Sequence, residues 1–105
     1  MAEPMKIRAQ MAGDKVEVRV LVKHVMETGL RRDPGGSGGY IGAWFIQNLT
    51  AMHNGRTVLT VQMGPAVSKD PFLSFRFVGG KPGDKVRIAW TDNHGEQRSD
   101  ETTVA

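Results

Sequence analysis

The chain has 105 residues, which fits one domain of common size and is too short to enclose a large cofactor between two lobes. It contains no cysteine, and this excludes thiol catalysis, disulfides and thiolate metal sites together. The net charge of +3 permits nucleic-acid binding, but the basic residues are scattered singly along predicted strands. We therefore expect a solvated sheet face and no nucleic-acid partner.

The sequence has no apolar run long enough to span a membrane, so we expect no membrane association. Residues 1–11 have no apolar stretch followed by a small-residue cleavage site, so we expect no secretory signal. The whole of 1–105 is predicted to form a single domain.

The first two strands are predicted from alternating polar and apolar residues. One covers residues 5–11, and a turn at Gly13-Asp14 leads to the next at 15–23. The second strand has the clearest pattern, since four β-branched residues share one face: Val16, Val18, Val20 and Val22.

The third strand is predicted over 43–53 and contains a change of parity. Trp44 and Ile46 have one parity, whereas Leu49 and Ala51 have the other. A bulge near Gln47-Asn48 would put all four side chains on one face, and a short helical turn is the alternative. Asn54-Gly55 then predicts a tight hairpin turn.

Four more strands are predicted over 56–63, 73–78, 85–91 and 97–104, each separated from the next by glycine, proline or asparagine. Seven short strands at fairly even spacing, without a convincing helix, indicate an all-β fold. The predicted architecture is an immunoglobulin-like antiparallel β-sandwich of about seven strands.

The segment His24–Tyr40 is the exception to this pattern, because it is long and has no strand alternation. Loops of this length in a compact domain are usually functional or disordered. Its first half carries polar and charged residues, and its glycine-rich second half, Gly35–Gly39, is interpreted as a flexible connector. We expect this loop at one end of the sandwich, where binding surfaces are built.

The sequence offers few candidate catalytic or metal-binding groups. No nucleophile-elbow sequence surrounds a serine, and Ser68, His24 and Asp33 are interpreted as a coincidence, so no catalytic residue is expected. The three histidines lack ligand spacing, and no metal or cofactor is expected. The alternative is a copper-binding sandwich that uses His24 and Met26, since Met26 is predicted to face solvent.

An interaction role agrees better with the loop. Arg31 and Arg32 supply paired donors for carboxylates or oxyanions, and Met26 and Leu30 place apolar groups in an exposed loop. These features predict one half of a complex. Two alternatives remain open: local ion pairs of the arginines with Glu27 and Asp33, and a self-associating module of adhesion type.

Three stretches of the chain resemble the SoxZ family. His24–Asp33 is similar to its H-x-M-E-x-G-x-R-[KR]-D signature, Gly64–Phe72 with Phe75 and Phe77 is similar to its second signature, and Trp90–Gly95 matches its W-x-D-x-x-G turn. The chain departs from the family where Tyr40-Ile41-Gly42 replaces the usual Leu-Ile-Pro.

The resemblance implies an immunoglobulin-like, non-catalytic subunit of a sulfur carrier in thiosulfate oxidation. Its partner would be SoxY, which holds the sulfur intermediates on a cysteine, and other Sox enzymes would contact the heterodimer transiently. The family implies a periplasmic location reached by export with the partner. We predict partner contacts at His24, Met26, Glu27, Leu30, Arg31, Arg32, Trp44 and Phe72.

Overall fold

The computed structural model describes residues 2–33, 35 and 38–105. These residues form seven strands and no helix, so no helix among them is long and apolar enough to cross a membrane. The all-β prediction is confirmed. The strands are β1 (Lys6–Ala12), β2 (Lys15–Leu21), β3 (Ile46–His53), β4 (Arg56–Gln62), β5 (Phe72–Val78), β6 (Lys85–Asp92) and β7 (Gln97–Thr103).

The strands form two antiparallel sheets. The first has the order β1-β2-β5, and the second has the order β4-β3-β6-β7. The chain changes sheet between β2 and β3, between β4 and β5, and between β5 and β6. The predicted β-sandwich is confirmed, and its longest connection is the one between β2 and β3.

The core lies between the middle strands of the two sheets. Val16, Val18 and Val20 of β2 are completely buried, because strand alternation turns all three toward the second sheet. Leu49 of β3 and Ile88 of β6 are completely buried opposite them. This core fixes the register of the strands, since a slip by one residue would expose it.

The predicted bulge in the third strand is confirmed. The pairing of β3 with β6 shifts register between Ile46 and Asn48, and a second, unpredicted shift on the β4 side lies between Ala51 and Met52. The hairpin turn is also confirmed, since Asn54 and Gly55 have φ values of 49° and 84°.

The two flanks of the sandwich differ. On the β1–β7 flank, the Ala105 amide donates to the Ala9 carbonyl and the Met5 amide donates to the Asp100 carboxylate, so the sheets are joined there. On the β4–β5 flank, neither strand contains a buried residue. The inward-facing apolar side chains of β4 and β5 are only half-buried: Leu59, Val61, Leu73, Phe75 and Phe77.

The long loop lies at one end of the sandwich, as predicted. The pairs Leu21–Phe72 and Ile46–Asp92 put the β2–β3 connection at the same end as the β4–β5 connection and the β6–β7 turn. We call this the loop end. The molecule measures 54 × 22 × 20 Å, whereas an eight-residue strand is about 26 Å long, so the connections at the two ends extend it considerably.

Candidate functional site

A buried carboxylate organises the loop end. Asp92, at the end of β6, has 1% of its surface exposed. Its Oδ2 accepts hydrogen bonds from Trp44 Nε1 at 2.7 Å and from His24 Nε2 at 3.0 Å. Its Oδ1 accepts from the amides of His94 and Glu96, both at 2.9 Å. Four donors from three segments therefore converge on one charge.

These donors decide the ionisation of Asp92. Burial by itself raises the pKa of a carboxyl group, because a low dielectric disfavours the charged form. Here the hydrogen bonds from His24, Trp44 and the two turn amides outweigh burial, so the pKa of Asp92 is lowered. The site therefore contains a stable carboxylate.

His24 joins the loop to this carboxylate and to the neighbouring connection. Its Nδ1 accepts from the Met26 amide at 3.1 Å, so the proton lies on Nε2 and the ring is the neutral Nε2–H tautomer. The ring makes edge contacts with Trp44 and Trp90, at centroid distances of 5.6 and 5.2 Å. The His24 amide donates to Asp70 Oδ1, and the Asp70 amide donates to the His24 carbonyl.

The prediction that Met26 faces solvent is wrong. Its side chain is 5% exposed, and its Sδ lies 3.4 Å from the Ile46 amide, from which it accepts a hydrogen bond. The backbone of Met26 has φ = 49°, a left-handed conformation that is uncommon for a residue with a side chain. This turn directs the thioether into the core, where its burial is favourable.

Beyond Met26, described residues on the two sides of the loop pair with each other. We call residues 27–33, 35 and 38–44 the loop arm. Glu27 and Trp44 exchange backbone hydrogen bonds of 2.6 and 3.0 Å, and Arg32 and Tyr40 form a second bridge. The pairing reaches the glycine-rich part, since the Asp33 amide donates to the Gly39 carbonyl at 3.0 Å. The predicted flexible connector, Gly35–Gly39, lies partly outside the described residues, at Gly36 and Ser37.

The two arginines of the arm have different surroundings. Arg31 forms a bidentate ion pair with Glu27, with distances of 2.6 and 3.2 Å. The hydrogen bond from Arg31 lowers the pKa of Glu27, and the same bond raises the pKa of Arg31. Arg32 lies over the Tyr40 ring at 5.8 Å, a cation–π contact. The predicted local ion pair is thus confirmed for Arg31 with Glu27.

The loop end also exposes apolar side chains. Leu30 is 80% exposed, Phe72 62%, Tyr40 61% and Val25 38%, whereas Val78, which is also exposed, lies at the opposite end. Two shallow clefts of about 330 and 570 Å³ meet at Val25 and Lys69. The smaller is also lined by His24 and Trp44, and the larger by Glu27 and Arg31. Apolar and cationic groups therefore occur side by side.

A protein-family model described as "Sulphur oxidation protein SoxZ" matches residues 5–103 of this chain. The chain belongs to the SoxZ family. No curated protein matches the sequence significantly. Family membership implies involvement in sulfur oxidation, and it confirms the resemblance drawn from the three sequence motifs.

The motifs of this SoxZ chain coincide with the loop-end structure, but the predicted contact residues fall into two groups. His24 and Met26 lie in the interior and hold the loop, while Trp44 and Glu27 are partly buried. The exposed members stay candidates for direct partner contact: Leu30, Arg31, Arg32 and Phe72.

Sequence reasoning missed three residues of the site. The sequence indicates Asp92 only as part of the W-x-D-x-x-G turn, a spacing that places a carboxylate before a tight turn. Asp70 pairs with the His24 backbone, and His94 stacks on Trp44 with a centroid distance of 4.7 Å and an interplanar angle of 3°. Their sequence separation from the loop gave no signal of these contacts.

The ligand atoms that the copper-binding alternative requires already have other partners in this structure. Both nitrogens of His24 are engaged, by Asp92 and by the Met26 amide, and the Met26 sulfur is engaged by the Ile46 amide. Among the residues that the structure describes, no group of three or more histidine, aspartate or glutamate side chains is arranged to hold a metal ion.

Proposed function

We propose that this SoxZ chain is the non-catalytic subunit of a heterodimeric sulfur carrier in thiosulfate oxidation. It pairs with a SoxY-type subunit, which holds sulfur intermediates on a cysteine, and helps to present those intermediates to Sox enzymes. The heterodimer works in the periplasm.

The observation that carries this proposal is the exposed surface at the loop end. A family member without any cysteine cannot hold the covalent intermediate itself, but its loop end combines apolar side chains with cations. Leu30, Tyr40 and Phe72 are more than half exposed, and Arg31 and Arg32 lie on the same arm. Surfaces of this composition are typical of protein interfaces, in which aromatic residues and arginine are enriched.

The cations also suit the cargo of such a carrier. Thiosulfonate and sulfonate groups are anionic, and arginine donates to oxyanions in a bidentate geometry. Arg31 is already paired with Glu27. Two further cations at the loop end are Arg32, which lies over the Tyr40 ring, and Lys69, whose charge helps to lower the pKa of Glu27. We propose that these side chains face the partner or its anionic adduct.

Co-expression of the chain with a cysteine-bearing SoxY-type subunit tests the proposal. Size-exclusion chromatography should give a stable 1:1 complex, whereas a self-associating module would elute as homo-oligomers with or without the partner. Failure to form the heterodimer under conditions where both chains are folded contradicts the proposed function.

The double variant Arg31→Ala/Arg32→Ala tests the loop end within that complex. We expect weaker heterodimer affinity or slower sulfur turnover, because both cations lie on the proposed contact surface. The matched control is Arg56→Ala/Arg87→Ala, which removes the same charge from exposed positions outside the loop end. Equal affinity and equal turnover in the two double variants would contradict a docking role for the arm.

Copper titration followed by absorbance separates the alternative function. Since the donor atoms of His24 and Met26 are engaged inside the protein, we expect no charge-transfer band that depends on these residues. A stoichiometric band that disappears in Met26→Leu would overturn this expectation and support the copper-binding alternative.

A further inference from the structure

Strand β5 is an uncovered sheet edge, and the part of the core behind it is incompletely buried. It pairs only with β2, and no backbone group of Phe72–Val78 has another backbone partner in the part of the chain that the structure describes. Its inward side chains Leu73, Phe75 and Phe77 are only half-buried. Such an edge offers backbone hydrogen bonds and apolar contacts to a further strand.

The outer face of the same sheet is strongly basic. The strand registers place five cations there, Lys6, Arg8, Lys15, Arg19 and Arg76, against a single carboxylate, Glu17. Glu17 pairs with Arg19 at 2.9 Å and with Arg76 at 2.8 Å, and these contacts, the Arg76 hydrogen bond above all, lower its pKa. One carboxylate therefore serves two arginines, and the other three cations have no carboxylate partner among the described residues.

Two arginines on this face are placed unfavourably for the isolated chain. Arg8 of β1 lies directly opposite Arg19 of β2, and like charges at directly opposed positions destabilise a sheet. An acidic surface laid over the face would remove this repulsion. The charge pattern thus indicates that a surface covering this face would be negatively charged.

The free β5 edge, the half-buried apolar side chains and the basic outer face together distinguish between the kinds of molecule that could bind there. In a symmetric pair of β5 edges, the basic faces of two copies would become neighbours, and each copy already has a net charge of +3. Nucleic acid would satisfy the charge, but it offers neither a strand backbone nor apolar side chains for Leu73, Phe75 and Phe77. An acidic polypeptide in extended conformation satisfies all three demands.

We infer that β5 is the docking edge for a strand of an acidic partner chain. In that strand, apolar side chains alternate with acidic ones, so that one set completes the core at the β4–β5 flank and the other lies beside the basic face. Phe72, the first residue of β5, belongs to the loop end as well, so the edge is continuous with the surface proposed above. The inference rests on the proposed function and identifies the partner-binding strand.

The absence of cysteine allows a clean test by thiol labelling. Ser74→Cys places a thiol on the exposed outer side of β5, and the matched control Ser99→Cys places one on the exposed outer side of β7, the edge strand of the other sheet. Each variant is labelled with a maleimide, alone and with a SoxY-type partner whose own cysteine is replaced by serine. With the partner at about ten times its Kd, labelling of a covered thiol slows about tenfold.

We expect this slowing for Ser74→Cys and a change of less than twofold, roughly, for Ser99→Cys, since only β5 would be covered. If the heterodimer forms and the thiol of Ser74→Cys stays equally reactive, the docking edge is overturned while the proposed function stands. If no heterodimer forms, the proposed function fails and the inference fails with it. Slower labelling with duplex DNA but not with the partner would also overturn it.

Discussion

At the scale of single residues, Asp92 is the group that connects the loop end. A buried charge is costly unless hydrogen bonds replace its hydration. Here Trp44, His24 and two amides of the β6–β7 turn supply them, so the charge selects one arrangement of the loop and the turn. The role of Asp92 is to position the surface above it.

Replacement of Asp92 by asparagine should therefore destabilise the protein. The amide group keeps the size but turns an N–H group toward donors, and a buried polar group left unpaired costs about 1–3 kcal/mol. Asp14→Asn is the matched control, because Asp14 is exposed in the β1–β2 turn and such substitutions stay within about 0.5 kcal/mol. Urea unfolding measures both, and equal losses would contradict the positioning role.

The same carboxylate predicts a dependence of stability on pH. The pKa of Asp92 is lower in the folded protein than the unfolded value of about 3.9. Near that pH the unfolded chain binds more protons, so the free energy of unfolding falls as the pH is lowered through this range and is fully restored above it. Urea unfolding at a series of pH values should show a shallower acid slope for Asp92→Asn than for the unmodified chain; parallel slopes would refute the assignment.

At the scale of elements, the loop arm depends on a close approach between its two sides. Gly29 has φ = 85°, and a Cβ added there would lie 3.1 Å from the Cβ of Ala43. A side chain there would be strained by the backbone conformation, and the Ala43 methyl group would have to move by a few tenths of an ångström to accommodate it. The paired backbone of Glu27 and Trp44 lies directly next to this approach.

Gly29→Ala should loosen the arm without unfolding the sandwich. A left-handed conformation costs a residue with a Cβ about 1–2 kcal/mol, so the arm should open roughly tenfold more often. Hydrogen exchange at the Glu27 and Trp44 amides measures this opening. Gly42→Ala is the control in the same arm, since it has no atom within 4 Å of its added Cβ, and its exchange should be unchanged. Equal effects of the two variants would contradict the close-approach explanation.

The sequence predicted the strands better than the arm for a physical reason. Alternation made the second strand visible through Val16, Val18 and Val20, and a change of parity located the bulge between Ile46 and Asn48. The arm is held by contacts between segments far apart in sequence, such as His24 with Asp92, and these leave no periodic signal. Met26 was misplaced for the same reason, because an isolated left-handed turn decides its direction.

At the scale of the whole molecule, the two flanks of the sandwich differ in how completely the sheets are joined. The β1–β7 flank is closed by backbone hydrogen bonds and by Asp100, which accepts from Met5 and pairs with Arg98. The β4–β5 flank keeps half-buried aromatic side chains at a free edge. This asymmetry explains why a partner is expected on one side only, next to the basic face of the three-stranded sheet.

Arg8→Glu separates the stability of the chain from its association with a partner. The new carboxylate would face Arg19 across the sheet, and an opposite-charge pair in place of a like-charge pair should stabilise the isolated chain by about 0.2–1 kcal/mol. The same change removes positive charge from the basic face beside the proposed docking edge, so association with an acidic partner should slow, most clearly at low salt. Arg87→Glu changes the net charge equally on the outer face of the other sheet, where we expect no effect on association. Stopped-flow measurements give the association rates, and urea unfolding gives the stability. A more stable variant that associates more slowly supports a role for the basic face in docking at β5, whereas unchanged association, or equal slowing by Arg87→Glu, contradicts it.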